Sequence, residues 1–573
     1  MRTSRLFNPS LLLLVLVSLA APRPAGAQWS TNPTTNNTVF PGGTASYHPS
    51  IVTDGAGGAI INWWDSRGGV GFQYVYAQRV NRFGNTKWMS SGVSVGQPTD
   101  IAIFPTTVSD GTGGAIVTWD QVRGVSHIYA QRIDSTGVLH GGTNGVTICA
   151  ASGGQYNPTI ASDGSGGAII VWTDQRNGNK DDLYAQRIDH AGAVRWTTNG
   201  VAISTATAYQ SYPAIVADGA GGAIIAWQDS RNGVDNDVYA QHVDSLGNVS
   251  WVGDGEAVAT GPADQYRPCI VGDGSGGAII AWMDELSGSY DDFYAQHLNA
   301  AGTPLWAAGG VPMCANTAYK GQYVVASDDA GGIIGAWASS VGSILSVHAG
   351  RISSAGANAW GIDGIAIDTL AGNPQMPAII KDGAHGAIIA WTDGRVAGKT
   401  DIYAQRVTIA GTPRWTPNGQ GIATGTQYKS AVALMSDGAC GATMTWLRAG
   451  NVYASHVDSL GALGPVPTTG VDDGTTSPQM GSELSLNCPN PFTPSTAIRF
   501  TVPAAAHGEQ EPVAVTLRVY DIEGREVATL VNARLSPGTH SVTWDAIHIS
   551  SGVYFSRLTV GERSETRKLM LTR

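Results

Sequence analysis

The sequence predicts an all-β chain: an eight-bladed β-propeller of four-stranded blades, its ring closed by an N-terminal strand, followed by a small β-sandwich. Three observations carry that prediction. A phrase of the form Asp218-Gly-Ala-Gly-Gly-Ala-Ile-Ile-Ala-Trp227 recurs eight times at intervals of 53 to 56 residues. Each unit breaks into four short apolar runs separated by glycine turns. The chain also opens with a Trp-bearing segment that its last unit lacks. Repeats of this period mark propellers or solenoids.

The elements follow in order. Arg2 and Arg5, an apolar run from Leu11 to Ala20, and Ala25-Gly26-Ala27 before Gln28 read as a secretory signal over 1–27. The repeats then occupy 28–464. Their leading aspartates are Asp54, Asp110, Asp163, Asp218, Asp273, Asp328, Asp382 and Asp437. Nine residues after each stands Trp63, Trp119, Trp172, Trp227, Trp282, Trp337, Trp391 or Trp446.

In the fourth unit, Pro213–Asp218 reads as strand a, and Gly219–Gly222 turns the chain because glycine reaches the positive φ a tight hairpin needs. Ala223–Trp227 is strand b, continuously apolar because both faces are covered. Val238–Val243 is strand c, and Ala257–Ala259, led in by Trp251, is strand d. The Trp and Ile runs are expected to pack blade on blade.

The ends decide between ring and solenoid. Trp88, Trp196, Trp251, Trp306, Trp360 and Trp415 mark strand d; the second unit has Leu139-His140 instead, and the eighth runs out near Gly464. Trp29 precedes the first aspartate by 25 residues, against 22 from Trp196 to Asp218. The first segment therefore completes the last blade and leaves no open sheet edge. A solenoid would need two capping units.

Composition narrows function. The 75 Gly in 573 residues fit turns, and 42% hydrophobic residues exclude a disordered chain. No later stretch is apolar enough to predict a transmembrane segment. Without the leader the net charge is −14, with +1 on 484–573 and −15 on 28–483. That balance argues against nucleic acid or an anionic membrane as partner. Five cysteines form no dense framework and read as mostly free, buried thiols.

Residues 465–483 form a polar linker, and 484–573 alternate apolar residues with short turns, as a small Ig-like sandwich does. Asn487-Cys-Pro-Asn-Pro-Phe492 opens the module, Gly552-Val-Tyr554 lies within it and Lys568-Leu-Met-Leu571 closes it. This stretch resembles the C-terminal sorting domains of the bacterial type IX secretion system, and the Ig-like domain of flagellar hook-capping proteins. The resemblance implies the secretion machinery as a partner. It also implies an extracellular or cell-surface address on a Gram-negative-type bacterium, with cleavage or surface attachment to follow.

The b–c loops hold the candidate chemistry. Asp174 and Asp182, Asp229 and Asp237, Asp284 and Asp292, and Asp393 and Asp401 line one face as an acidic arc, the expected ligand site. Asp229, Asn232, Asp235 and Asp237 supply oxygen ligands around a Gly turn and are the expected calcium site. The alternative for each loop is an internal Asp–Arg pair. His242, His297 and His456 share a slot with Arg79, Arg132, Arg187 and Arg406, which suggests structure, and no nucleophile or metal-protease motif appears, so no catalytic residue is assigned. The expected function is non-enzymatic binding of a glycan or protein in adhesion or scavenging. The alternatives are a glycan-active hydrolase or lyase using carboxylates of blades 3–5, and a structural surface-layer component.

Overall fold

The computed structural model describes residues 29–464 except 43–45, 70–71, 97–100, 179, 286–290, 317 and 342–343, and then 483–484, 495–502, 512–536, 538–561 and 563–571. The leader, residues 465–482 of the linker and the Pro-Asn-Pro-Phe motif lie outside the described residues.

Asp218 shows why each repeat folds as it does. Its Oδ1 accepts the amides of Ala220 and Gly222 at 2.7 and 2.9 Å, closing the a–b turn. Its Oδ2 lies 2.9 Å from His242 Nε2 on strand c. A Cβ on Gly222 would stand 2.4 Å from the Val243 carbonyl, so only glycine fits. The same carboxylate anchors every repeat, through Arg79, Arg132, Arg187, His297, Arg351, Arg406 or His456. The Arg/His slot is thus a structural clamp.

Blade 4 comprises Gln210–Ala217, Ala223–Asp229, Asp237–Val243 and Glu256–Ala259, paired antiparallel in order. Among the described residues, eight such four-stranded sheets are present in the repeat region. Ile169 and Val171 of blade 3 pack with Ala223, Ile225 and Trp227 of blade 4, so the strand-b residues do form the interblade core.

Each strand a lies beside strand a of the next blade, and Lys429–Ser436 of blade 8 returns beside Ser46–Thr53 of blade 1. The ring is closed. Its last sheet borrows Asn37–Phe40 from the N-terminal segment, paired antiparallel to Asn451–Val457.

The strand-d tryptophans clasp neighbouring blades. Trp88, Trp196, Trp251, Trp306, Trp360 and Trp415 each donate the indole N–H to a carbonyl in the next blade's c–d turn. Each ring also sits against a glycine of that turn. Trp29 makes the same clasp from blade 8 to blade 1, at 2.9 Å from the Arg82 carbonyl and against Gly84.

In the C-terminal part, Glu483–Leu484, Ser495–Val502 and Gly538–Asp545 form one sheet. Val513–Asp521, Glu526–Leu535, Gly552–Val560 and Arg563–Leu571 form the other. They enclose Phe500, Leu517, Trp544, Leu558 and Leu569. Cys149, Cys269 and Cys314 are free, the first and last buried. Cys440 is disulfide-bonded, which corrects the free-thiol expectation there. Cys488 lies outside the described residues.

Candidate functional site

In an antiparallel meander the b–c and d–a connections share one end, here the loop face, and the a–b and c–d turns share the other. The expected acidic arc lies on the loop face but is not open to a ligand. Asp174, Asp229, Asp284 and Asp393 are at most 7% exposed, and so are Asp182, Asp237, Asp292 and Asp401. The reason is a local motif, Trp-x-Asp-x-Arg. The buried indole of Trp172 or Trp227 donates to Asp174 or Asp229 at 2.8 Å. Arg176 or Arg231 pairs with the same carboxylate at 2.6 Å. Each guanidinium also covers the strand-c tyrosine, Tyr184 or Tyr239, at 3.6 or 3.7 Å. Blades 1 and 7 repeat the arrangement with Asp65, Arg67 and Tyr76, and with Asp393, Arg395 and Tyr403.

The second aspartate of each loop is equally engaged. Asp292 and Asp401 take fully buried Lys320 and Lys429 of the next blade, at 3.0 and 2.8 Å. Asn177 Nδ2 donates to Asp182. In the expected calcium site, Asn232 turns its amide nitrogen, not its oxygen, towards Asp235 and Asp237. Burial and the flanking Asp235 and Asp229 push Asp237 up to about 6. Among the described residues no three His, Cys, Asp or Glu side chains converge as metal ligands.

Blade 7 adds a carboxylate pair. Asp368, on strand d of blade 6, meets Asp393, and both face Arg395 at 2.5 and 2.6 Å. Burial and its hydrogen bond to Asp393 push Asp368 up to about 6. Asp393 stays below the ordinary range, because hydrogen bonds from Arg395 and Asp368 outweigh its burial. A raised folded pKa means stability lost as pH climbs from about 4 to 6. Asp368→Asn should therefore raise the melting temperature at pH 8 and leave it nearly unchanged at pH 4. Thermal melts at the two pH values check this.

What the loop face does expose is aromatic. Among the described propeller residues the exposed large aromatics are Tyr47, Phe72, Phe104, Tyr209, Tyr212, Tyr319 and Tyr428, 40–65% exposed, all on this face. The exposed large hydrophobic side chains described on the turn face, such as Leu246 and Leu460, include no aromatic ring.

Three of the aromatics or their neighbours occupy a special slot. Strand a slips register against strand b once in every blade, for example between Ser211 and Ala214. At the bulge His48, Phe104, Asn157, Tyr212, Arg267 and Met376 adopt φ of 45–56° and expose their side chains, and Ala431 shares the angle at 54°. These positions were missed in the sequence, although a proline follows six of them. Below them the axial channel holds a cavity of about 490 Å3, lined by Pro213, Ile215, Cys269, Val325, Ile379 and Leu434 among others.

A further buried carboxyl, like Asp182 and Asp237, has no ion pair among the described residues. Asp120, on strand b of blade 2, is 4% exposed. Its Oδ2 accepts the amide of Asn157 at 3.3 Å, and its Oδ1 has no partner among the described residues. Burial pushes it up to about 7.

These features define a β-propeller with an aromatic loop face, coupled to an export module. Residues 488–572 match the family of secretion system C-terminal sorting domains. That tail directs the protein to the cell surface or extracellular space of Bacteroidetes-type bacteria. No helix among the described residues is long and apolar enough to cross a membrane. No curated protein matches the chain.

Several solved structures are similar. An ulvan lyase bound to -[GlcA(1-4)Rha3S]- is 12% identical, with a TM-score of 0.42 over 67% of this chain and 96% of its own. PorZ, a surface component of the type IX secretion system of Porphyromonas gingivalis, is 12% identical, with a TM-score of 0.35 over 92% and 70%. An α-L-arabinanase of Penicillium chrysogenum is 13% identical, with a TM-score of 0.31 over 62% and 93%.

Proposed function

We propose that the propeller is a non-enzymatic binding module, displayed outside the cell by its sorting tail and holding a glycan or protein in adhesion or scavenging. The observation that carries this reading is the segregation of the seven exposed large aromatic side chains among the described propeller residues to the loop face. Such side chains offer large, rigid contact area at low conformational cost. Hydrolysis by carboxylates of blades 3–5 would need two of them open to substrate. The paired loop aspartates of those blades hold arginine, lysine, asparagine or an indole instead, which leaves only carboxylates such as exposed Glu285 for that role.

A glycan array probed with the full chain, with and without chelator, tests the reading. Retention of a subset of glycans, insensitive to chelator, is expected. Loss of retention on chelation would bring calcium back to Asp229, Asn232, Asp235 and Asp237. A folded chain that retains no glycan would remove the glycan reading.

A further inference from the structure

We infer that the ring of bulge side chains around the axial channel is a single composite site for an acidic oligosaccharide, whose anionic group Arg267 receives. This deepens, and rests on, the glycan-binding reading above.

The backbone argument comes first. A non-glycine residue at positive φ is strained, and a following proline restricts it further. Where this chain needs only a positive φ it uses glycine freely, as at Gly219 and Gly221 of the a–b turn. At the positive-φ bulge positions it never does, and the one bulge glycine, Gly321 of blade 6, does not take that angle. The eight slots hold His48, Phe104, Asn157, Tyr212, Arg267 and Met376, with Gln322 in blade 6 and Ala431 in blade 8. The same strained geometry recurs in seven of them. The backbone of some of these residues serves the fold, as at Asn157 N–H to Asp120 and the Arg267 carbonyl to Tyr323, but their exposed side chains are not needed for that. The recurring strain serves to present those side chains.

The second argument is variation within the repeat. The turn aspartate and the strand-b tryptophan are identical in all eight units. The bulge slot holds eight different residues. Eight separate, equivalent shallow sites would repeat one residue. One asymmetric ligand lying across the axis would meet a different partner on each blade. The apolar cavity directly below the ring, with a few polar groups at its rim, has the make-up of a small-ligand site.

Chemistry then selects the ligand. On blades 1 and 2 the slot is aromatic. Tyr47 stacks on Trp64 at 4.2 Å, and His48 meets Phe104 edge-on at 5.7 Å. In an eight-membered ring blade 5 lies opposite blade 1, and it carries Arg267, beside Tyr212 of blade 4. Arg267 is the only Lys or Arg in the ring, the ring holds no carboxylate, and Arg267 makes no ion pair among the described residues. Most arginines of strand c and the b–c loops face an aspartate, as Arg79, Arg132, Arg176 and Arg231 do, whereas Arg448 of blade 8 covers Tyr453 without one among the described residues. In a region of charge −15, an exposed arginine left without an acid is available to an external anion. Flat aromatic faces, the amides of Asn157 and Gln322, and one guanidinium suit sugar rings bearing hydroxyls and a carboxylate or sulfate.

Calorimetry on the full chain tests this with three probes: a galacturonate hexasaccharide, a carrageenan oligosaccharide carrying sulfate, and neutral galactohexaose. One of the two acidic probes should bind and the neutral one should not, and which acidic probe binds identifies the anion. Arg267→Gln should weaken that binding about tenfold or more. Tyr212→Gly should weaken it similarly while leaving the melting temperature equal or higher, because glycine relieves the strained φ. A purely structural role for Tyr212 would lower the melting temperature. Equal binding of galactohexaose, unaffected by Arg267→Gln, would overturn the acidic preference and leave glycan binding standing. Glycan binding untouched by both variants would overturn the ring as the site. Binding of no probe here and no glycan on the array would overturn both this inference and the reading it rests on.

Discussion

Trp29→Ala is expected to open the ring at blade 8 and to destabilise the propeller by about 3–5 kcal/mol, the usual cost of emptying a buried tryptophan site. Trp29 is 2% exposed, and packs in one cluster with Val39 and Phe40 of the closing strand, Ile61 and Trp63 of blade 1, and Val452 of blade 8. The change removes the indole bond to the Arg82 carbonyl and the cover over Gly84. It also loosens Asn37–Phe40, whose loss would leave Asn451–Val457 as a bare edge strand.

The comparison that isolates closure is Trp196→Ala. That tryptophan makes the same clasp between blades 3 and 4, which the chain already holds in sequence. Both variants should lose melting temperature. Only Trp29→Ala, or removal of residues 29–40, should abolish hydrogen-exchange protection in Asn451–Val457 while the middle blades stay protected. Equal protection of that strand in both variants would count against closure by the N-terminal segment.

The fold was legible because one unit was written eight times. The Asp-to-Trp interval, the glycine turns and the displaced Trp29 are local or periodic signals, and the ring follows from their count and their ends. The burial of the acidic arc was legible in principle. Trp-x-Asp-x-Arg occurs in blades 1, 3, 4 and 7, the blades whose b-loop aspartate is locked to both indole and guanidinium. Reading the loops as lists of carboxylates, without the tryptophan two residues earlier, made them look free. Blades 2, 6 and 8 lack that aspartate, and there the indole nitrogens of Trp119, Trp337 and Trp446 have no partner among the described residues.

Other features had no local signal. Lys320 and Lys429 reach aspartates 28 residues earlier, across a blade boundary. The bulge is betrayed only by a proline, which does not announce a positive φ before it. The candidate ligand ring was missed for that reason, since nothing in the sequence says which end of strand a faces the axis.

The same blindness hid Asp120, whose replacement should produce the largest pH effect among the described carboxyls. The slot after the strand-b tryptophan holds Thr173 in blade 3 and Thr392 in blade 7, so threonine fits there. In blade 2 it holds a carboxyl that burial pushes up to about 7. In the unfolded chain it titrates near the ordinary value of about 4. The folded state therefore binds the extra proton between those values. The fold is favoured while the group is protonated in both states, below about 4. Stability falls as pH rises towards 7, and the loss levels off above that.

At about 1.4 kcal/mol per pKa unit, the full loss approaches about 4 kcal/mol as an upper bound. Asp120→Thr should thus match the parent near pH 4 and exceed it clearly at pH 8. Melting profiles of the two chains across that range decide the matter. Asp237 and Asp368 remain in both chains, so their raised pKa values cancel in the difference. Asp218 and Asp273 pull the other way in acid. Hydrogen bonds from His242 and His297 and from turn amides outweigh burial and hold them below the ordinary range, so their support is lost only as the pH falls. A difference between parent and variant that stays flat from pH 4 to 8 would mean that Asp120 is not the titrating group.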